Sequence, residues 1–223
     1  MHIYGIITGD IVGSTKLSKE DRDNLIENLN QIIAEIASSE ETDKAIEFGI
    51  YRGDSFQVKV TDAKSTLRVA MLIRLGLMCS QERLQISTLK KSSIWDARLS
   101  IGIGTIDYLR ETINISDGEA FRYSGRAFEL LKRTDRLIIR TSNKDLNDEF
   151  DTECFMADTI LRRLSDNQAR ITYKYLLREE TQKSIAEKLK VTPQAVNKSL
   201  QYGGNALRVF IKRFEVLIEK YYD

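Results

Sequence analysis

Two aspartates near the start of the chain have the residue type and the spacing that metal-dependent phosphate chemistry requires. Asp10 follows an apolar, β-rich run over residues 3–8, and Asp54 lies between two strand-like runs, 45–52 and 55–60. Two carboxylates brought close together raise each other's pKa unless a positive charge compensates them. A Mg²⁺ or Mn²⁺ ion that bridges both to a triphosphate would supply that charge. Taken singly, Asp10 could also be a helix cap and Asp54 a turn residue.

Few side chains are available for other kinds of chemistry. The chain has one histidine, His2, and two cysteines, Cys79 and Cys154. Serine–histidine catalysis, cysteine–histidine catalysis and a histidine-ligated zinc site are therefore disfavoured. The cysteines lack zinc-like spacing, and we expect buried free thiols in a reducing compartment. A reaction here would depend on carboxylates, Lys or Arg, and a hard metal ion.

The segment that follows the first strand-like run is a candidate for binding phosphate. Residues 11–15 lead into a turn before a helix, where main-chain N–H groups can point at an anion. The candidate nucleotide-binding residues, including those just before Asp54, are Val12, Gly13, Ser14, Thr15, Arg52 and Gly53.

Hydrophobic periodicity predicts the elements that hold these residues. Helical spacing occurs over 17–38, 62–81 and 118–132, and strand-like runs occur over 97–106 and 136–141. The first six elements follow a βαββαβ order, which predicts an α+β, ferredoxin-like domain with an antiparallel sheet and helices on one face. In such a sheet the first and third strands are neighbours, so Asp10 and Asp54 would face each other.

The last third of the chain is purely helical in pattern. A polar and acidic segment, 142–153, predicts a linker or a short capping helix. We place the domain boundary near residue 150, which gives an α+β domain over 1–150 and an all-α domain over 151–223.

Residues 181–200 predict a helix-turn-helix. Thr181 and Thr192 are expected to cap its two helices, and Pro193 begins the second, where its missing N–H costs nothing. Val191 in the turn and Ala195 are expected to face the core, and the glycines at 203 and 204 to end or bend the second helix. The candidate DNA-binding residues are Thr192, Gln194, Asn197, Lys198 and Gln201. The alternative is a helical bundle of this shape that binds protein or dimerises.

Composition limits the partners. The net charge is +1, so any surface for nucleic acid must be local. Hydrophobic residues make up 42% of the chain, enough for a real core. The sequence shows neither a signal peptide nor an apolar stretch long enough to cross a bilayer, so we expect a cytoplasmic protein without a membrane partner.

Four motifs resemble those of class III nucleotidyl cyclases. GDIVGST at 9–15 and RGDSF at 52–56 resemble their metal-binding motifs, and RLSIGIG at 98–104 and GEAFRYSGR at 118–126 resemble the segments that follow. The resemblance implies a palm-like catalytic domain, and it departs from adenylyl cyclases where Ile50 and Ile115 replace a purine-reading lysine and an aspartate. The resemblance assigns metal binding to Asp10, Ile11 and Asp54. It assigns Arg126 to the transferring phosphate, and Arg122 stands where those enzymes have a ribose-binding asparagine.

Residues 181–200 resemble the helix-turn-helix of sigma-factor region 4, and the whole chain resembles the SatD family of bacterial proteins. Our first hypothesis is a regulator that binds DNA through the helix-turn-helix and a metal and nucleotide through the palm-like domain. The alternative is a nucleotidyl cyclase or related nucleotidyltransferase acting on a nucleoside triphosphate, with helices for dimerisation or recruitment. A third is an interaction scaffold. Whether the protein is an enzyme is left open. Because cyclase-type sites are shared across a dimer, we expect a homodimer.

Overall fold

The computed structural model describes residues 2–39, 46–82, 95–108, 113, 116–132 and 134–222. Its strands are β1 (Tyr4–Ile11), β2 (Ile46–Arg52), β3 (Ser55–Val60), β4 (Ala97–Gly104) and β5 (Leu137–Arg140). Its α-helices are α1 (Lys19–Ala37), α2 (Thr66–Met78), α3 (Glu119–Leu130), α4 (Lys144–Leu161), α5 (Asp166–Arg178), α6 (Gln182–Leu189), α7 (Pro193–Ser199) and α8 (Asn205–Tyr222). The mixed α+β class predicted from the sequence is confirmed.

One sheet forms the centre of the N-terminal part. Its strand order is β2-β3-β1-β4-β5. The pairs β2–β3, β3–β1 and β1–β4 are antiparallel, whereas β4 and β5 are parallel. Because β1 lies between β3 and β4, the residues at its end have a neighbouring strand on both sides.

Side chains along β1 alternate between the two faces of the sheet. Ile7 points to the face covered by α1 and α2, where it is fully buried in the main core. Thr8 points to the other face, and its hydroxyl oxygen lies 3.0 Å from that of Ser124 in α3. Asp10, two residues further along the strand, therefore projects on the α3 side.

The C-terminal helices pack into the same core as the sheet. Phe150 of α4 and Phe214 of α8 are buried, with ring centroids 5.5 Å apart. They belong to one hydrophobic cluster with Ile7 of β1 and Leu67 of α2. A smaller cluster holds α5, α6 and α7 together and consists of Ile171, Ile185, Ala186, Val196 and Leu200.

The segment 142–153 is not a linker, because its residues from Lys144 onwards belong to α4, which is longer than the short capping helix given as the alternative. Asn143 accepts hydrogen bonds from the N–H groups of Asp145 and Leu146 and so caps α4. The helix then continues for 18 residues, and residue 150 lies in its middle. Its buried residues follow a helical spacing that the intervening acidic residues hide in the sequence.

Two residues expected in the core of the C-terminal part lie at the surface. Val191 is 40% exposed, because Lys190 takes a left-handed conformation with φ 54° and the chain leaves the core there. Ala195 is exposed because Val196 and Ser199 are the residues of α7 that face inward.

The glycine pair after α7 does not end the helix. A π-helical turn over Leu200–Gly204 joins α7 to α8. A Cβ atom on Gly203 would lie 2.5 Å from the side chain of Ile160, so glycine allows α4 to approach closely.

The two cysteines differ in burial. Cys154 in α4 is buried, and burial raises the pKa of its thiol well above the ordinary value. Cys79 is only half-buried, which departs from the expectation of two buried thiols. Among the described residues, no helix combines the length and the apolar character needed to cross a membrane.

Candidate metal and nucleotide site

Asp10 lies at the centre of a row of three strands. It is paired with Ser55 of β3 on one side and with Arg98 of β4 on the other. Directly paired residues of antiparallel strands project from the same face of a sheet. Asp54 immediately precedes Ser55, so the hairpin brings Asp54 to the end of β1 where Asp10 lies.

Asp54 is fixed by the turn after β1. It lies in the turn between β2 and β3, where Gly53 has φ 55°, a conformation that glycine adopts at little cost. The Ser14 hydroxyl, which is buried, donates a hydrogen bond to the Asp54 carboxylate. Gly13, with φ 81°, starts the short 3₁₀ turn that contains Ser14. The side chain of Arg52 lies outside the described part of the chain.

Arg98 binds the Asp10 carboxylate through two hydrogen bonds. Its Nε donates to Oδ1 at 2.9 Å, and its Nη2 donates to Oδ2. The hydrogen bond to Asp10 raises the pKa of the Arg98 guanidinium, burial opposes this, and the negative charges of Asp10 and Asp54 raise it further. Both aspartates therefore act on one guanidinium.

The turn after β1 offers fewer phosphate donors than the sequence predicted. The N–H of Val12 donates to the carbonyl of Asp96 at 2.9 Å and extends the pairing of β1 beyond the strand, so this N–H is not available to a phosphate. Gly13, Ser14 and Thr15 form the turn itself. Gly13 and Thr15 are exposed, so this short stretch is the surface that a ligand at Asp54 would meet.

The two candidate arginines of α3, Arg122 and Arg126, are both exposed. Arg122 lies in the first turns of α3, at the far end of β4. It donates to Asp107 at 3.2 Å and lies 3.5 Å from Asp117. Arg126, one turn further along, is exposed. Both arginines therefore face solvent on the helix that covers this side of the sheet.

The donor atoms suit a hard divalent cation. Mg²⁺ is commonly held by one or two carboxylates together with phosphate oxygens and water. Asp10 and Asp54 provide the carboxylates, and Ile11, whose side chain is buried, could add only its main-chain oxygen. Within the described ranges, no group of three or more His, Cys, Asp or Glu side chains could hold a metal ion. The site thus fits a cation that keeps several ligands from water or phosphate.

The surface of α7 presents the candidate DNA-binding residues. Thr192 caps the helix by accepting from the N–H of Ala195 at 3.2 Å, and Pro193 follows as its first residue. Residues 166–204 contain seven Lys or Arg against four Asp or Glu, a local positive excess in a nearly neutral chain. The exposed candidates are Thr192, Gln194, Asn197, Lys198 and Gln201.

Arg98 is the residue of this site that the sequence did not reveal. The motif at 98–104 identifies β4 but gives its first residue no role. Only the pairing of β1 with β4 sets Arg98 opposite Asp10. A charged residue at the start of a buried strand was the available signal. Ile115, which the resemblance singled out, lies outside the described residues.

No family model and no curated protein matches this sequence. Among solved structures, the chain is similar to the active GGEEF domain of a diguanylate cyclase from Vibrio cholerae, with 14% identity, a TM-score of 0.43, and coverage of 64% of this chain and 85% of that chain. The adenylyl cyclase CyaB from P. aeruginosa is 16% identical with a TM-score of 0.44, and the match covers 62% of this chain and 76% of that chain. The guanylyl cyclase domain of the RhoGC fusion protein from the aquatic fungus Blastocladiella emersonii is 17% identical with a TM-score of 0.41. That match covers 68% of this chain and 84% of that chain.

All three neighbours are nucleotide cyclases or domains of them. At these identities and TM-scores the likeness carries no argument about the activity of this chain.

Proposed function

We propose that this protein binds a nucleoside triphosphate together with Mg²⁺ or Mn²⁺ and acts as a nucleotidyl cyclase or related nucleotidyltransferase. The observation that carries the proposal is the meeting of Asp10, Asp54, Ser14 and Arg98 at one end of the sheet. These residues come from three separate segments of the chain. Asp10 remains 18% exposed and Arg98 28% exposed, so a charged ligand can reach them.

We also propose a finer assignment of the fold and of the family. The N-terminal part would be a ferredoxin-like, palm-type βαββαβ unit, and the chain would belong to the SatD family. The strand order β2-β3-β1-β4 supports the first assignment, because it makes β1 and β3 neighbours.

Each residue of the site has a role that its position supports. Asp10 and Asp54 would hold the cation, and Ser14 keeps the Asp54 carboxylate oriented. A bound divalent cation neutralises phosphate charge and polarises a phosphoryl oxygen. The turn at Gly13 and Thr15 lies beside Asp54 and would contact the phosphates through its main chain.

Release of pyrophosphate tests the proposed reaction. The purified protein is incubated with each nucleoside triphosphate and Mn²⁺ or Mg²⁺, and pyrophosphate is measured. We expect release from at least one of them, and loss to background in Asp54→Ala. The matched control is Asp151→Ala, which removes an exposed aspartate that pairs with Arg140 far from the site. Activity that survives in Asp54→Ala, or release from none of the nucleotides, would contradict the proposal.

Arg122 and Arg126 would serve the site of a second copy in a homodimer, since Arg122 pairs with Asp107 and both arginines are exposed. Mixing Asp54→Ala with Arg126→Ala protein tests this. Each is expected to be inactive alone, and the mixture is expected to regain part of the activity, because mixed dimers contain one complete site. A mixture as inactive as its components, with exchange of subunits shown by mass, would contradict a shared site.

We propose as a second function that α6 and α7 form a helix-turn-helix that binds DNA. The observation in its favour is the exposed set of hydrogen-bonding residues on α7 within a locally positive segment. Lys198→Ala and Asn197→Ala should weaken binding, with an affinity that falls steeply as salt rises. Lys220→Ala, at the last turn of α8, is the control. Equal DNA affinity in wild type, Lys198→Ala and Lys220→Ala would exclude this surface.

A further inference from the structure

Each oxygen of the Asp10 carboxylate accepts a hydrogen bond from the same arginine. Arg98 donates to both of its oxygens, through Nε at 2.9 Å and through Nη2. A two-point contact between guanidinium and carboxylate is among the stronger hydrogen-bonded ion pairs in proteins. The proposed metal ligand is therefore the acceptor of a preformed ion pair.

Arg98 is held in place from two directions. The pairing of β1 with β4 sets its main chain directly opposite Asp10. Its guanidinium carbon lies 5.4 Å from the centre of the Phe128 ring in α3, within the range of a cation–π contact. The Arg98 side chain is therefore oriented towards the Asp10 carboxylate by β4 and by α3 together.

The Arg98 guanidinium and a divalent cation would each neutralise negative charge on the two aspartates. Asp10 and Asp54 place two negative charges at one end of the sheet, and one positive charge compensates them in part. A cation that coordinates Asp10 has to share its oxygens with Arg98 or displace it, and it also feels the repulsion of that positive charge.

We propose that Arg98 is the resident counter-ion of Asp10 and that it sets the cation affinity of the site by competing with the metal for this carboxylate. The inference rests on the proposed function, because it assumes that Asp10 and Asp54 are the metal ligands. In the absence of metal, Arg98 keeps the two aspartates from destabilising the end of the sheet. Arg98 acts through Asp10 and is a positioning residue.

Titration with Mn²⁺ alone tests the proposal, with binding followed by calorimetry and the midpoint of thermal unfolding measured in parallel. Arg98→Gln removes the charge and is expected to bind Mn²⁺ about tenfold more tightly than wild type. Without Mn²⁺, the unfolding temperature of Arg98→Gln should be lower than that of wild type. Addition of Mn²⁺ should raise the unfolding temperature of the variant more than that of wild type. Arg140→Gln is the matched control, since Arg140 makes the same two-point contact with Asp151 outside the site.

Each outcome separates the two proposals. Tighter binding in Arg98→Gln, lost again in Arg98→Gln/Asp10→Asn, supports the role of Arg98. Equal or weaker binding in Arg98→Gln overturns that role and leaves the metal site intact. No Mn²⁺ binding by any variant overturns both. If Arg98→Gln does not fold, Arg98→Lys decides, because one ammonium cannot hold both oxygens: affinity above wild type supports the proposal, and unchanged affinity overturns it.

Discussion

Asp10 and Arg98 link two neighbouring strands, and we propose that they also take part in ligand binding. The two side chains form an ion pair between neighbouring strands. A partly exposed ion pair of this kind contributes only about 0–1 kcal/mol to folding. The pair can therefore be opened by a ligand at a small cost in stability, which suits a binding site better than a deeply buried pair would.

Glu180, just before α6, provides a prediction that depends on pH. Lys188 Nζ and Ser184 Oγ each lie 2.7 Å from its Oε2. The hydrogen bond from Lys188 lowers the pKa of Glu180, partial burial opposes this, and the hydrogen bond from Ser184 and the charge of Lys188 lower it further. The pKa of Glu180 in the folded state lies below its ordinary value in the unfolded chain. The ionised carboxylate therefore stabilises the folded state fully when the pH is above the ordinary value, and this stabilisation disappears as the pH falls through the lowered pKa.

Glu180→Gln should accordingly lower the free energy of unfolding at pH 7 by less than about 1 kcal/mol. Thermal unfolding of wild type and variant from pH 7 down to pH 3 measures the difference. We expect the two unfolding temperatures to converge at the acid end. A difference that stays constant over this range would show that the ionised carboxylate is not responsible.

Most elements were predictable from local patterns, and the exceptions have physical reasons. The alternation of apolar residues identifies β1, β3 and β4, and the caps Thr181 and Thr192 identify α6 and α7. The sequence predicted at most a short helix at the start of α4, because the exposed positions of its first turns are largely acidic, although its buried residues keep a helical spacing. The pairing of Arg98 with Asp10 depends on the register between two strands distant in sequence, which no local pattern contains.

The close contact between β4 and α3 gives a prediction about packing. A Cβ atom on Gly102 would lie 2.1 Å from the main-chain oxygen of Ala120 and 2.5 Å from the nitrogen of Ser124. Because main-chain atoms cannot rotate away, Gly102→Ala should destabilise the fold by about 1–3 kcal/mol. Urea unfolding measures the effect.

Gly125→Ala is the matched control in the helix itself. Among the described residues, nothing lies within 4 Å of the Cβ that this change would add. Alanine at this position in α3 is expected to be neutral or to stabilise by up to about 1 kcal/mol, since it favours helix more than glycine does. Equal effects of the two substitutions would contradict the close packing of α3 on β4.

Arg74 connects the sheet to the C-terminal helices across the whole molecule. It is fully buried in α2, and its guanidinium donates to Asp96 at 2.8 Å and to Asp158 of α4 at 2.7 Å. Burial alone would lower the pKa of Arg74, but the charges and hydrogen bonds of Asp96 and Asp158 raise it. The main-chain carbonyl of Asp96 accepts from Val12, so this network reaches the turn beside the candidate site.

Arg74→Met should destabilise the protein by about 3–5 kcal/mol, because two largely buried carboxylates lose the guanidinium that hydrogen-bonds to both. These two carboxylates would keep the more distant Arg136 and Arg162, each at 3.9 Å. Arg140→Met breaks an exposed pair with Asp151 and should cost less than about 1 kcal/mol. Denaturant unfolding of the full chain compares them. A loss in Arg74→Met no larger than in Arg140→Met would show that the buried network does not hold the two parts of the chain together.

The central claim is that Asp10 and Asp54 form a site for a divalent cation and a nucleotide. The most direct test is a thermal-unfolding screen of the whole chain with every nucleoside and deoxynucleoside triphosphate, with Mn²⁺ or Mg²⁺. A ligand at a hundred times its Kd adds about 2.7 kcal/mol to the stability of the folded state. We predict a metal-dependent rise in the unfolding temperature with at least one nucleotide, absent in Asp10→Asn and Asp54→Asn and retained in Asp151→Asn. No rise with any nucleotide, or a rise that both site variants retain, would contradict the claim.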